Sequence, residues 1–368
     1  MVTVNAGAAH LWLDFIYGTL MHRLGLSPPF FHGGWGGKAL ESMEQVTRQL
    51  IKQGLKEVAD QTWPPPAIRP VWKTIFADGH FRCQEGVFVT PCDETIRDAL
   101  PPESRTARVH LLTPVGVPRS ELSCVLHLAG TGDHGFARRQ RLSRPLLQFG
   151  IASMILESPF YGNRRPLQQP GAKLKCVSDL LLLGRATIEE ARALLYWLET
   201  VGGFNRLGVC GLSMGGVHAA MVGSLHPNPI AVTPLLAPHS ASVAFCEGVL
   251  RYGTAWETLM KDGTGRDKLN NESSAASAPA LSQEEVLRRM REVLSLTDVT
   301  RFPIPKKPSA VIFVSATYDA YIPKHSVLEL QQAWPGAEVR WVPGGHVSSF
   351  ILRNDDFRRA IMDSLTRL

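Results

Sequence analysis

Gly211-Leu212-Ser213-Met214-Gly215 sets a serine between two glycines, directly after the apolar run Leu207-Gly208-Val209-Cys210 and ahead of a helix-like stretch at 216–222. A strand, a G-x-S-x-G pentapeptide and a helix in that order predict a very tight turn. Its flanking residues must lack bulk, and the hydroxyl is thrust out of the backbone into a pocket. Such a hydroxyl suits acyl transfer. At neutral pH it needs a neutral imidazole to take its proton and a carboxylate to orient that imidazole. The pentapeptide alone is a weak signal, so its partners decide the matter.

In a doubly wound arrangement the chain order is serine, then acid, then histidine. Ala310-Val311-Ile312-Phe313-Val314-Ser315 reads as the last apolar strand but one, and the first acid beyond it is Asp319. Of twelve histidines, only His325 and His346 follow Asp319. His325 stands at the start of a helical stretch, 326–333, tied to the loop of Asp319 itself. His346 follows the last strand, 338–342, in Pro343-Gly344-Gly345-His346, where a glycine-rich turn lets an imidazole swing over the sheet edge. Ser213, Asp319 and His346 are therefore the expected nucleophile, acid and base. A tetrahedral intermediate also needs two backbone N–H donors. Met214, just after the serine, is one. The other is expected from the loop Ala129-Gly130-Thr131-Gly132-Asp133-His134, at Thr131 with Gly132 as the alternative. Asp133 and His134, adjacent in sequence, read as polar loop residues rather than a second catalytic pair.

The elements that must position these residues show in the periodicity. Leu40, Met43, Val46, Leu50, Leu55 and Val58 recur at helical spacing across 38–61, and Trp63-Pro64-Pro65-Pro66 ends that helix. Two β-rich stretches follow, 81–90 and 105–113. Then apolar runs without polar alternation (124–129, 151–156, 207–210, 230–236, 310–315 and 339–342) alternate with helical stretches such as 178–199. This predicts an α/β fold, with a mostly parallel, doubly wound sheet flanked by helices over 76–368 and a helical extension over 1–75. Right-handed crossovers would put the strand C-termini, and so the site, along one edge. The rhythm stops between 237 and 308. The stretch 261–280 is rich in Gly, Ser, Ala and Asn and reads as a flexible loop, followed by a helix at 282–296. Residues 239–308 thus read as a flexible insertion, either a lid or a solvent-facing connection.

A chain of 368 residues buries a full core as one large domain or at most two. Its net charge of +6 is mild, and no Lys/Arg tract interleaved with aromatics marks a nucleic-acid binder. Six scattered cysteines with no C-x-x-C pair read as reduced core residues of an intracellular protein, not as a disulfide framework or zinc site. The sequence implies no metal and no organic cofactor. The apolar stretch 11–17 is broken by Asp14, is too short to span a bilayer and follows no basic residue, which argues against a signal peptide. The acid-poor first 40 residues permit an organellar transit peptide or a surface-lying amphipathic segment. Mitochondrial, membrane-associated and cytoplasmic placements stay open, and so does the oligomeric state.

The chain resembles the α/β-hydrolase domain-containing protein 18 family. The resemblance rests on 127–134, Arg144-Pro145, Glu157-Ser158-Pro159-Phe160-Tyr161-Gly162, Val177-Ser178-Asp179-Leu180 and 211–216. It continues in Asp319-Ala320-Tyr321-Ile322-Pro323 and Gly344-Gly345-His346-Val347-Ser348. It implies the α/β-hydrolase fold and carries nucleophile, acid and base onto Ser213, Asp319 and His346. The expected activity is that of a serine hydrolase cleaving a carboxylic ester through an acyl-enzyme. A non-catalytic scaffold of the same fold and an acyltransferase are the alternatives. Two basic clusters flank the expected pocket: Arg138, Arg139, Arg141 and Arg144 after the oxyanion loop, and Arg164 and Arg165 after the strand 151–156. Guanidinium groups grip phosphate in a bidentate fork, so Arg138, Arg139, Arg164 and Arg165 are expected to bind substrate, a lipid or anionic phospholipid acyl ester. The bland reading has them coating a solvent-facing helix. A lipid ester substrate would bring peripheral membrane contact with it.

Overall fold

The apolar runs are strands because both of their faces are covered. Every residue of Ile151–Leu156 and Ile312–Ala316 is buried, a pattern that leaves no room for polar alternation. In the computed structural model, which describes residues 6–23, 27–263 and 281–368, nine strands form one sheet. They are β1 (Val71–Ala77), β2 (Phe81–Val89), β3 (Thr106–Pro114), β4 (Ser123–Leu128), β5 (Ile151–Leu156), β6 (Arg206–Leu212), β7 (Ala231–Leu235), β8 (Ile312–Ala316) and β9 (Glu338–Val342). Their order is β1-β2-β3-β5-β4-β6-β7-β8-β9. β1, β2, β3 and β5 pair antiparallel in turn, and from β5 onward every pairing is parallel.

Helices cover both faces. On one, Leu194, Leu195 and Trp197 of the helix Val177–Trp197 and Val217, Ala219, Ala220, Met221 and Val222 of the helix Met214–Ser224 share a core with Leu126, Met154 and Val209. On the other, the helix Asn354–Thr366 buries Phe357 and Ala360 against β7 and β8, and Ile361 and Leu365 against β4 and β6. This is the α/β architecture the strand–helix rhythm predicts.

Three features depart from the sequence reading. β1 begins at Val71 and pairs with β2, so the sheet starts inside the stretch expected to be a helical extension. The single helix expected over 38–61 is two, α2 (Gly37–Gln53) and α3 (Leu55–Gln61), preceded by α1 (Ala6–Arg23). Gly54 parts them at φ 89° and ψ 112°, a backbone region that costs a side-chain-bearing residue dearly. The insertion is the third. The stretch 264–280 of the expected loop lies outside the described residues. The rest is packed: Phe245, Leu259, Val286, Met290, Val293 and Leu294 are buried with Trp35, Leu40 and Met43. The helix Gln283–Leu294 starts on a capping box in which Ser282 and Glu285 exchange hydrogen bonds. Leu281 N–H donates to the Met260 carbonyl at 3.2 Å, so the two arms of the insertion are joined at their base. Arg289, buried on that helix, makes a two-pronged ion pair with Glu44 of α2.

Candidate active site

Ser213 sits one residue past β6 at φ 55° and ψ −117°, a conformation rare for anything but glycine. Its N–H donates to the Leu235 carbonyl at 2.8 Å, and its carbonyl accepts from Gly216 N–H at 2.9 Å. The glycines around it follow from crowding. A Cβ at Gly211 would collide with the Gly215 carbonyl, and one at Gly215 would lie 2.5 Å from the Leu128 carbonyl. Gly130 comes just as close from the other loop: its Cβ would lie 2.8 Å from the Leu212 carbonyl. These approaches bring Thr131 and Met214 beside Ser213, and all three line one cavity.

The strand register carries the other expected residues to the same edge. Leu212 pairs with Leu235, Leu235 with Val314, and Ala316 with Val342. Ser213, Asp319 and His346 therefore all follow the C-terminal ends of parallel strands lying side by side. Asp319 is anchored by its own loop, its Oδ1 accepting from Tyr321 N–H at 2.8 Å and Ile322 N–H at 2.9 Å. Its Oδ2 lies 2.8 Å from His346 Nδ1. Both side chains are buried, and the Tyr321 ring stacks on the imidazole with centroids 4.6 Å apart. Burial pulls the His346 imidazole down, but the Asp319 charge, its hydrogen bond and the Asp14 charge outweigh it. The net shift is upward from the ordinary histidine value. His325 is half exposed and faces Glu247 at 3.2 Å, away from this pair.

The cavity at Ser213 has a volume of about 730 Å³ and is mostly apolar. Leu50, Leu55 and Val58 of α2 and α3 form one wall; Leu180, Val217, Met221, Phe245 and Leu296 form others. The guanidinium-bearing residues on its lining are Arg97, Arg185 and Arg192, with Asp93, Glu94 and Glu189 among them. These three were not legible in the sequence, because nothing near them in the chain marks them as lining the cavity. Among the described residues, no cluster of three or more His, Cys, Asp or Glu could hold a metal ion.

The sequence model of one family, described as alpha/beta hydrolase domain containing 18, matches residues 28–367. The chain belongs to that family. Solved structures with a similar fold include an acetyl xylan esterase from Paenibacillus sp. R4, at 14% identity and TM-score 0.51, covering 83% of this chain and 92% of that one. Est1E from Butyrivibrio proteoclasticus with bound ferulic acid matches at 14% identity and TM-score 0.45, over 71% and 96%. The peroxisomal α/β-hydrolase Lpx1 of Saccharomyces cerevisiae matches at 13% and 0.47, over 77% and 89%.

Within this family member, two of the four arginines expected to bind substrate are internal struts. Arg139 is buried: Nε pairs with Asp133 at 2.8 Å, and its other nitrogens donate to the carbonyls of His127, Leu156 and Gly135. Arg164 is fully buried, forked onto Glu190 at 2.6 and 2.8 Å and donating to the carbonyls of Glu157 and Ser104. Neither has a donor fork left for a phosphate, and a charge so deep must be paired. Arg138 is half-buried, with its guanidinium 4.6 Å from the Phe350 ring centroid, and Arg165 is exposed. Arg141 and Arg144 are exposed as well, Arg144 lying over Phe81. Asp133 and His134 serve the loop, Asp133 holding Arg139 and His134 Nδ1 accepting from Gly162 N–H at 2.9 Å.

Proposed function

We propose that the protein is a serine hydrolase that cleaves a carboxylic ester through an acyl-enzyme on Ser213. His346 takes the proton of Ser213 Oγ as that oxygen attacks the ester carbonyl, and Asp319 steadies the imidazolium. The N–H groups of Met214 and Thr131 receive the oxyanion. Collapse breaks the ester C–O bond, and His346 hands its proton to the departing alcohol. Water, deprotonated in turn by His346, then releases the acid. The observation carrying this reading is the combination of a strained serine on the wall of a cavity with an Asp319–His346 pair at the same sheet edge.

A mostly apolar cavity of this size favours a lipid acyl chain. For an anionic head group, the outward-facing candidates are Arg138 and Arg165. A lipid surface as the source of substrate fits α1, where Leu11, Trp12, Leu13, Ile16 and Tyr17 are 40–65% exposed while Asp14 is buried. Among the described residues, no helix is long and apolar enough to cross a membrane.

A fluorophosphonate probe tests the chemistry: it should label the purified protein and fail on Ser213→Ala. Hydrolysis of neutral and anionic phospholipid vesicles tests the substrate. A preference for anionic lipid that survives Arg138→Gln together with Arg165→Gln would defeat the head-group assignment.

A further inference from the structure

α1 reaches the site from the opposite end of the chain. Asp14 at its centre is fully buried, and both of its carboxylate oxygens bind the loops that carry the proposed acid and base. Oδ2 accepts from His346 N–H at 2.8 Å and from Ala320 N–H at 3.0 Å, and Oδ1 accepts from Val347 N–H at 2.8 Å. One carboxylate thereby ties the residue bearing the base to the residue beside Asp319. Two further contacts seat the helix. His10 Nδ1 meets Ser348 Oγ at 3.0 Å, and that hydroxyl also accepts from Gly345 N–H at 2.9 Å. Gly18 lies so close to Tyr321, whose ring stacks on His346, that a Cβ there would sit 3.0 Å from the phenol oxygen. Residues 6–23 lie before residue 28, where the family match begins.

We propose that Asp14 is a positioning residue for the reaction: it sets His346 and Asp319 relative to one another and lends the imidazolium a second nearby negative charge. This rests on the serine-hydrolase reading above. No proton is exchanged with Asp14; the proton moves from Ser213 Oγ to His346 and on to the leaving alcohol. Buried carboxylates are costly unless fully hydrogen-bonded, and three backbone donors meet that requirement here. The titratable groups around the imidazole are Asp319 and Tyr321 from the loop after β8 and Asp14 from α1. His10 faces Ser348, and Tyr17 acts on Tyr321. The Asp14 charge acts on His346 in the same direction as that of Asp319, raising its pKa.

The experiment uses the full chain and compares wild type with Asp14→Asn in ester hydrolysis and in fluorophosphonate labelling rate across pH. Asparagine keeps the size, removes the charge and places an NH₂ donor against a backbone N–H. The expected result is a kcat about 10- to 100-fold lower with KM within about threefold, the scale set by small misplacements of a catalytic group. The acid limb of the pH profile should also move to lower pH. Should Asp14→Asn fail to fold, Gly18→Val reports the same effect by prising α1 from its seat with Asp14 intact. An unchanged rate and profile in the folded variant overturns the proposal. So does a fall in melting temperature with an unshifted acid limb, which would make Asp14 a structural residue only. A wild type that takes no label while Ser213 is intact overturns the serine-hydrolase reading, and this proposal with it.

Discussion

At Ser213 the backbone holds a strained turn so that a hydroxyl stands clear of its strand on a cavity wall, at the sheet edge that also carries Asp319 and His346. In the proposed reaction His346 must be neutral to accept a proton, and the charges of Asp319 and Asp14 raise its pKa from the ordinary histidine value against the downward pull of burial. Hydrolysis should therefore be full at alkaline pH and fall as pH drops through a value above 6.5, read as the acid limb of kcat/KM. Asp319→Asn should leave the fold intact and lower kcat by about 10⁴-fold, since the imidazole loses both its tautomer and its counter-charge. The arginines give a contrast in stability. Arg164→Gln leaves Glu190 buried without its partner and should cost about 3–5 kcal/mol in chemical denaturation. Arg165→Gln, at an exposed position, should stay within about 0.5 kcal/mol. The sequence revealed the order of Ser213, Asp319 and His346, because each follows an apolar strand. It could not separate Arg164 from Arg165, since neighbours in the chain do not report which side chain turns inward. Asp14 was legible only as a break in an apolar run; its partner His346 lies 332 residues away.

Among the elements, the sheet was the most legible because two-sided burial writes itself as uninterrupted apolar sequence. β1 escaped because it is an edge strand with nearly every residue exposed, so no burial pattern marks it. The break at Gly54 escaped because helical spacing continues across it, and only the backbone angle reveals the turn. Gly54→Ala should cost about 1–2 kcal/mol from the left-handed backbone alone, measured as a lower denaturation midpoint. Gly211→Ala should do more, since its methyl collides with the Gly215 carbonyl and must distort the turn that presents Ser213. That variant should lose both stability and fluorophosphonate labelling. In the insertion the helix after the polar stretch was legible, at 282–296; its packing against α2 was not, because an amphipathic pattern does not say which surface it covers.

At the scale of the whole molecule, α2 and α3 wall the cavity from one side and the insertion from another, and Glu44–Arg289 clamps α2 to the insertion. Buried neutral imidazoles set the acid tolerance of this assembly. Burial pushes His110 and His218 down to about 4 and His127 to about 3. Unfolded, these groups bind protons near pH 6.5, and the folded chain resists protonation until pH 3–4. Stability should thus be full above pH 6.5 and drain away as pH falls toward 4. His346, raised in the folded state, contributes in the opposite sense, with stability present at acid pH and lost as pH rises through its folded pKa. These three, with His134 and His226 also pushed down by burial, outnumber it, so guanidinium midpoints should be lower at pH 5 than at pH 7.5.

The closed base of the insertion has a practical corollary. Because Leu281 is hydrogen-bonded to Met260, the helices Trp256–Lys261 and Gln283–Leu294 are tied to each other at their near ends. Leu281→Pro, which removes that N–H donor, should loosen the tie and lower the denaturation midpoint while leaving Ser213 in place.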